Sequence, residues 1–202
     1  MASSMTLALL RSKTLDFLFD TAGAIWVNAQ LDQGGRLAIG EYSLALPVIV
    51  ATTFTPTADT REIDISSLTA LWNVHEVWFP YTAASPEYPP ERVLFRVFDV
   101  GGKPYLYLDI DDLADGVDVA RVFYTKAHTL KDLDSATVTT WPAVDDGLII
   151  MGTAAHVLMS RAVDLAETTG VSAVSTPNLA AMASRYIKEF RKQLLKRQRL
   201  SS

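Results

Sequence analysis

The sequence predicts an α+β fold: a small helical bundle, built from two N-terminal and two C-terminal helices, with an antiparallel β-sheet or sandwich inserted between them. Three observations lead there. Apolar residues recur at helical spacing before Pro47. β-branched and aromatic residues dominate from about Val48 to Thr125. The helical period then returns after Trp141-Pro142. This divides the chain into N-terminal helices over 1–47, a β-rich insertion over 48–140 and C-terminal helices over 141–202.

Leu7, Leu10, Phe17 and Leu18 fit one face of a first helix. Asn28 is a candidate cap for a second, in which Leu31, Ala38, Tyr42 and Ala45 share a face. Gly34, Gly35 and Gly40 interrupt that helix, and each costs about 1 kcal/mol against Ala. It therefore needs packing to hold it, and Pro47 ends it.

The strand runs are Val48–Val50, Arg61–Ile65, Val74–Tyr81, Arg92–Phe98, Tyr105–Ile110 and Val119–Thr125. Gly101-Gly102 between two of them supplies the positive φ of a tight hairpin. Pro80, Pro86, Pro89 and Pro90 mark an extended loop. In the third helix Leu148, Met151, Ala155, Leu158, Ala162 and Leu165 recur every three or four residues, with Gly170 as its stop. Its alanines, Ala154, Ala155, Ala162 and Ala166, allow close neighbours and predict a central place in the bundle. Thr176-Pro177 reads as cap and first position of the last helix. Leu179, Met182, Ala183, Tyr186, Ile187, Phe190 and Leu194 form its apolar stripe.

Hydrophobic residues make up 49% and charged residues 20%, a composition that lets a chain of this length bury a core without staples. The absence of cysteine excludes disulfides, thiolate metal sites and a cysteine nucleophile. The apolar stretch Leu44–Phe54 is too short to span a bilayer, and Arg11 and Lys13 follow the patch Leu7–Leu10, the wrong order for a signal peptide. The reading is of an unexported protein with no membrane partner. Charge is unevenly placed: net charge is −5, yet from Arg185 onward seven basic residues face one acidic residue. Met1 to Thr6 and the last helix are the segments expected to be mobile.

The search for chemistry finds no catalytic, cofactor-binding or metal-ligating set. The acidic run Asp109–Asp118 fails the EF-hand pattern in both registers, with Leu113 and Ala114 where ligand and glycine are needed. It reads as a solvated turn. His75, His128 and His156 are isolated, and no G-x-S-x-G elbow accompanies them. Neither Gly34-Gly35 nor Gly101-Gly102 belongs to a phosphate-binding motif.

Two surfaces remain. The basic face of the last helix carries Arg185, Lys188, Arg191, Lys192, Lys196, Arg197 and Arg199. It is a solvated face that complements the helix dipole, a docking surface for an acidic protein, or a contact for nucleic-acid phosphates. Trp78, Phe79, Tyr81 and Tyr88, with Trp72 nearby, gather around the proline-rich loop as a candidate protein interface; the alternative is an ordinary sheet core.

Trp26 after the first helix precedes a helix ending Glu41-Tyr42-Ser43-Leu44-Ala45-Leu46-Pro47. Then come Arg61 to Leu68, Val74 to Tyr81, Val122 to Leu130 and Gly152-Thr153-Ala154-Ala155-His156. Over about residues 20–170 this order resembles a group of proteins encoded among phage and prophage structural genes. It is similar in plan to the head–tail connector adaptors of long-tailed phages. The resemblance implies a virion neck protein, made in the host cytoplasm. Such proteins form a homo-oligomeric ring, a dodecamer, that docks on the portal, extends the channel for double-stranded DNA and receives the next neck or tail protein. No enzyme activity or cofactor goes with it. The basic helix would dock on portal or neighbour, and the acidic body would let DNA slide. The insertion is larger than compact helical adaptors carry. Head-completion and tail-terminator proteins, a β-sandwich binding module, and an enzyme assembled from scattered Asp, Glu and His are the other readings.

Overall fold

A computed structural model describes residues 2–23, 25–82, 91–167 and 175–201. Its elements are helices α1 (Leu7–Phe17), α2 (Asn28–Ala45), α3 (Asp146–Glu167) and α4 (Ser175–Ser201), and strands β1 (Val48–Phe54), β2 (Glu62–Asp64), β3 (Asn73–Trp78), β4 (Leu94–Val100), β5 (Lys103–Asp109) and β6 (Ala120–Lys126). A 3-10 turn at Ala143–Asp145 leads into α3. The fold is thus α+β with two N-terminal and two C-terminal helices. It divides into a helical unit, Met1–Val48 with Ala127–Ser202, and a β unit, Ile49–Lys126.

In the helical unit α3 packs against α1, α2 and α4. Glycine makes this close approach possible. A Cβ on Gly34 of α2 would lie 2.5 Å from Val157 Cγ2 and 2.9 Å from the carbonyl oxygen of Thr153, both on α3. One on Gly152 of α3 would meet the Phe190 ring of α4 at 2.8 Å. Gly34, which weakens α2 locally, is therefore what seats it against α3. Phe190, Tyr42, Leu10, Ile149 and Trp141 fill the core, each worth about 1.5–3 kcal/mol on full burial. Arg11 joins α1 to α2 through a two-pronged ion pair with Asp32, both contacts 2.7 Å.

By length and composition Ala143–Ala166 is apolar enough to cross a membrane, a stretch the sequence reading passed over in favour of Leu44–Phe54. Its Ile149, Ala154, Val157 and Leu158 are buried inside the unit, as in the core helix of a bundle.

Several boundaries differ from expectation. The cap of α2 is Val27, not Asn28, and Gln30 Oε1 accepts its N–H at 3.4 Å. Helix α4 starts at Ser175, so Thr176 lies inside it and Pro177 sits in the first turn, where no N–H is required. Gly170 lies outside the described residues. Residues 127–140, which the sequence reading joined to the β segment, bury Leu130 and Leu133 among the helices. Met1 to Thr6 was expected to be mobile, but its described residues are built in. Met5 is buried, Ser3 N–H donates to the Trp141 carbonyl at 2.9 Å, and Thr139 Oγ1 donates to the Met5 carbonyl at 2.6 Å. Their backbone groups find partners there that a free tail would find in water.

The β unit holds two three-stranded sheets, ordered β1-β6-β3 and β2-β5-β4. Ile63, Leu106 and Leu108 of one sheet share a core with Val74, Val77, Val122 and Tyr124 of the other. Residues 91–93 link them along the backbone: Phe79 N–H donates to Glu91, and Val93 N–H to Val77, each at 3.1 Å. The β4–β5 hairpin turns at Gly101 and Gly102, with φ of 61° and 80°. Both values lie in the left-handed region that favours glycine, and Asp99 Oδ1 secures the turn by accepting the Gly102 N–H at 2.8 Å. At His75 a bulge interrupts the β3–β6 register and leaves that side chain at the surface.

Candidate docking surface

The apolar stripe of α4 turns Ala183, Phe190 and Leu194 into the helical unit. The basic residues fall on the remaining faces and divide into two sets. Arg191 and Arg197 are held within the unit. Arg191 makes two 2.8 Å bonds to the carboxylate of Glu41 on α2. Arg197 Nε lies 2.9 Å from Asp145 Oδ1, an ion-pair contact whose N–H is not aligned on the oxygen. The carboxylate of Asp145 is only 5% exposed, and its other oxygen accepts the Tyr42 hydroxyl at 2.8 Å. Burial and this bond to a carboxylate push the Tyr42 phenol well above its ordinary pKa.

Arg185, Lys188, Lys192 and Lys196 are exposed; among the described residues Lys192 alone of these forms an ion pair, with Glu189 at 3.7 Å one turn back. Arg199 is exposed in the last turn. The surface that α4 offers is therefore this lysine-rich row, with Arg191 and Arg197 acting as clamps. Sequence reasoning missed Glu41, Tyr42 and Asp145, because clamp partners more than 50 residues away leave no mark on the helix itself.

Beside the row runs a groove of about 1070 Å³ between the C-terminal turns of α4 and the start of α3. Val144 (69% exposed), Gly147 and Leu195 (57% exposed) line it with apolar surface, Lys192, Lys196 and Arg199 with basic groups, and Glu189 with an acidic one.

The histidines have structural surroundings. His128 Nε2 meets the Leu46 carbonyl at 2.7 Å and Nδ1 the Thr140 hydroxyl at 3.0 Å, with the Tyr42 ring edge-on. Burial lowers its pKa, against the opposing effect of the Leu46 bond. His156 Nε2 stands 3.3 Å from Glu41 Oε1 without an aligned hydrogen bond; burial lowers its pKa, which the Glu41 charge opposes. Among the described residues no group of His, Asp and Glu is arranged to hold a metal ion. The acidic run after β5 forms a turn in which Asp115 Oδ1 accepts the N–H groups of Val117 and Asp118 at 2.7 and 2.8 Å.

The aromatic candidates separate. Phe79 is buried in the β core, because it falls on the inward side where Val77 also points. Trp78 and Tyr81 lie half-buried outside that core with Phe123, and the Arg121 guanidinium is 5.3, 4.9 and 5.1 Å from the three ring centres. Arg121 also donates to the Tyr81 hydroxyl at 2.7 Å, so this cluster already holds its own cation. Arg121 pairs with Trp78 across β6 and β3, a contact that alternation along both strands foreshadows. Trp72 is exposed, and Tyr88 lies outside the described residues.

No known family model matches the chain, and no curated protein matches it. Solved structures with some likeness include a chain from the neck of a native GTA particle with C12 symmetry, 10% identical over 91% of each chain at a TM-score of 0.31. A chain from the neck of an empty GTA particle with C6 symmetry is 13% identical, with 89% of this chain and 87% of that one covered, again at 0.31. Superpositions this loose do not establish a shared fold.

Proposed function

We propose that this chain is a non-enzymatic structural subunit of a tailed-phage neck, of the head–tail connector type. In this reading it forms a ring, a dodecamer in the connector plan, that docks on the portal and continues the DNA channel. The observation that carries it is the lysine-rich row of α4, exposed along a helix that two arginine–carboxylate clamps and a buried apolar stripe fix in place. Such a rigid, positively charged ridge on an otherwise acidic protein suits docking on an acidic protein surface. The order of sequence features that resembles connector adaptors supports the same reading.

The test is the mass of the purified protein, alone and with portal rings, by light scattering and negative-stain imaging. Rings, or subunits recruited onto portal, are the expected result. A stable monomer indifferent to portal would overturn the proposal. Charge reversal at Arg185 and Lys188, which leaves both clamps intact, is expected to weaken recruitment and make it less sensitive to salt.

A further inference from the structure

We propose that the groove between α4 and the start of α3 receives the acidic segment Asp109–Asp118 of a second copy of this chain. This gives the proposed ring its subunit contact, and it rests on that reading.

Both surfaces are incomplete alone, and in complementary ways. The acidic segment exposes Asp109, Asp111, Asp112, Asp115 and Asp118, none of which forms an ion pair among the described residues. Five like charges in ten residues repel one another, and a cationic surface relieves them. Leu113 (53% exposed) and Val117 (77% exposed) project from the same segment. The groove complements it on both counts, opposite in charge at Lys192 and Lys196, with the acidic Glu189 beside Lys192, and alike in exposed aliphatic side chains at Val144 and Leu195.

The acidic segment is also held in shape. Ala114 is buried, its carbonyl accepts the Asp59 N–H at 2.9 Å, and its own N–H donates to the Thr60 carbonyl at 3.2 Å. Arg61 donates to the Asp111 carbonyl at 2.6 Å. A loop already ordered pays little further entropy on binding. Because groove and loop are different surfaces, the contact is head-to-tail, the kind that propagates into rings.

The test reverses charge on each side separately. One variant carries Lys192→Glu and Lys196→Glu, the other Asp111→Lys and Asp112→Lys; all four positions are exposed, and far-UV circular dichroism checks folding. Mass is measured against concentration by sedimentation equilibrium at low and high salt. Wild type is expected to associate, more weakly in high salt. Each variant alone is expected to associate at least about tenfold more weakly. An equimolar mixture of the two should recover, since the reversed positions of one variant then face those of the other. The inference is overturned if wild type stays monomeric throughout, if the reversals leave association unchanged, or if mixing fails to restore it. Recruitment of wild type by portal rings, read separately, keeps the connector reading standing where this contact fails.

Discussion

Substituting Gly34 by alanine tests the close approach of α2 to α3, and Gly40 on the same helix provides its control. In an exposed helix interior, Gly→Ala stabilises by about 1 kcal/mol through backbone entropy and helix propensity. Gly40 offers that situation, for nothing lies within 4 Å of its added Cβ. At Gly34 the new methyl would stand 2.5 Å from Val157 Cγ2 and 2.9 Å from a backbone oxygen of α3. Val157 is buried and has nowhere to retreat, and a helix backbone does not yield locally. Overpacking of this kind costs about 1–3 kcal/mol, and the upper half of that range applies where backbone is struck. Set against the propensity gain, Gly34→Ala is expected to destabilise by about 1–2 kcal/mol while Gly40→Ala stabilises by about 0.5–1 kcal/mol. Urea denaturation followed by far-UV circular dichroism measures both. Equal or higher stability for Gly34→Ala would refute the packing argument.

Two further predictions concern the clamps and pH. Arg197→Met leaves the carboxylate of Asp145, 5% exposed, without its cation and is expected to cost about 2–4 kcal/mol, whereas Arg191→Met, facing the more exposed Glu41, is expected to cost about 1 kcal/mol or less in urea denaturation. Equal costs would contradict the burial argument. Burial holds His128 and His156 below the ordinary value of 6.5, so the unfolded chain takes up protons before the folded one does. Stability is therefore full above that value, falls as pH drops through it and levels off below the folded values. Hydrogen bonds from Arg191 hold Glu41 below 4.5, and the stability this adds is lost in turn as pH falls through its lower folded value. Denaturation midpoints across pH check both steps, and His156→Gln should flatten the first. Stability that rises on acidification through the histidine range would reverse the reasoning.

Much of the architecture is legible in the chain because it is written in local periodicity. The stripe of Leu31, Ala38 and Tyr42 and the Gly101-Gly102 turn both lie where spacing places them. What escaped notice depends on distant partners. Asp145 closes the 3-10 turn and gives no local sign that Tyr42 and Arg197 converge on it. Phe79 looks like its neighbours Trp78 and Tyr81 in sequence, and only strand alternation sends it inward. Thr176 resembles a cap but lies one residue inside α4. The basic face of α4 was visible as composition; its division into clamps and exposed lysines needed the positions of Glu41 and Asp145.

The Leu46 carbonyl and His128 Nε2 are 2.7 Å apart, at the points where the chain leaves the helical unit and returns to it. In the chain, residues 49–126 are an insertion whose two ends are already joined. Closing such a loop adds only a slowly growing entropic cost, whatever its length. The β unit is therefore an exchangeable cassette. A short glycine-serine bridge between Leu46 and His128 can replace it, and an unrelated module with adjacent termini can be spliced in its place, with the helical core unchanged.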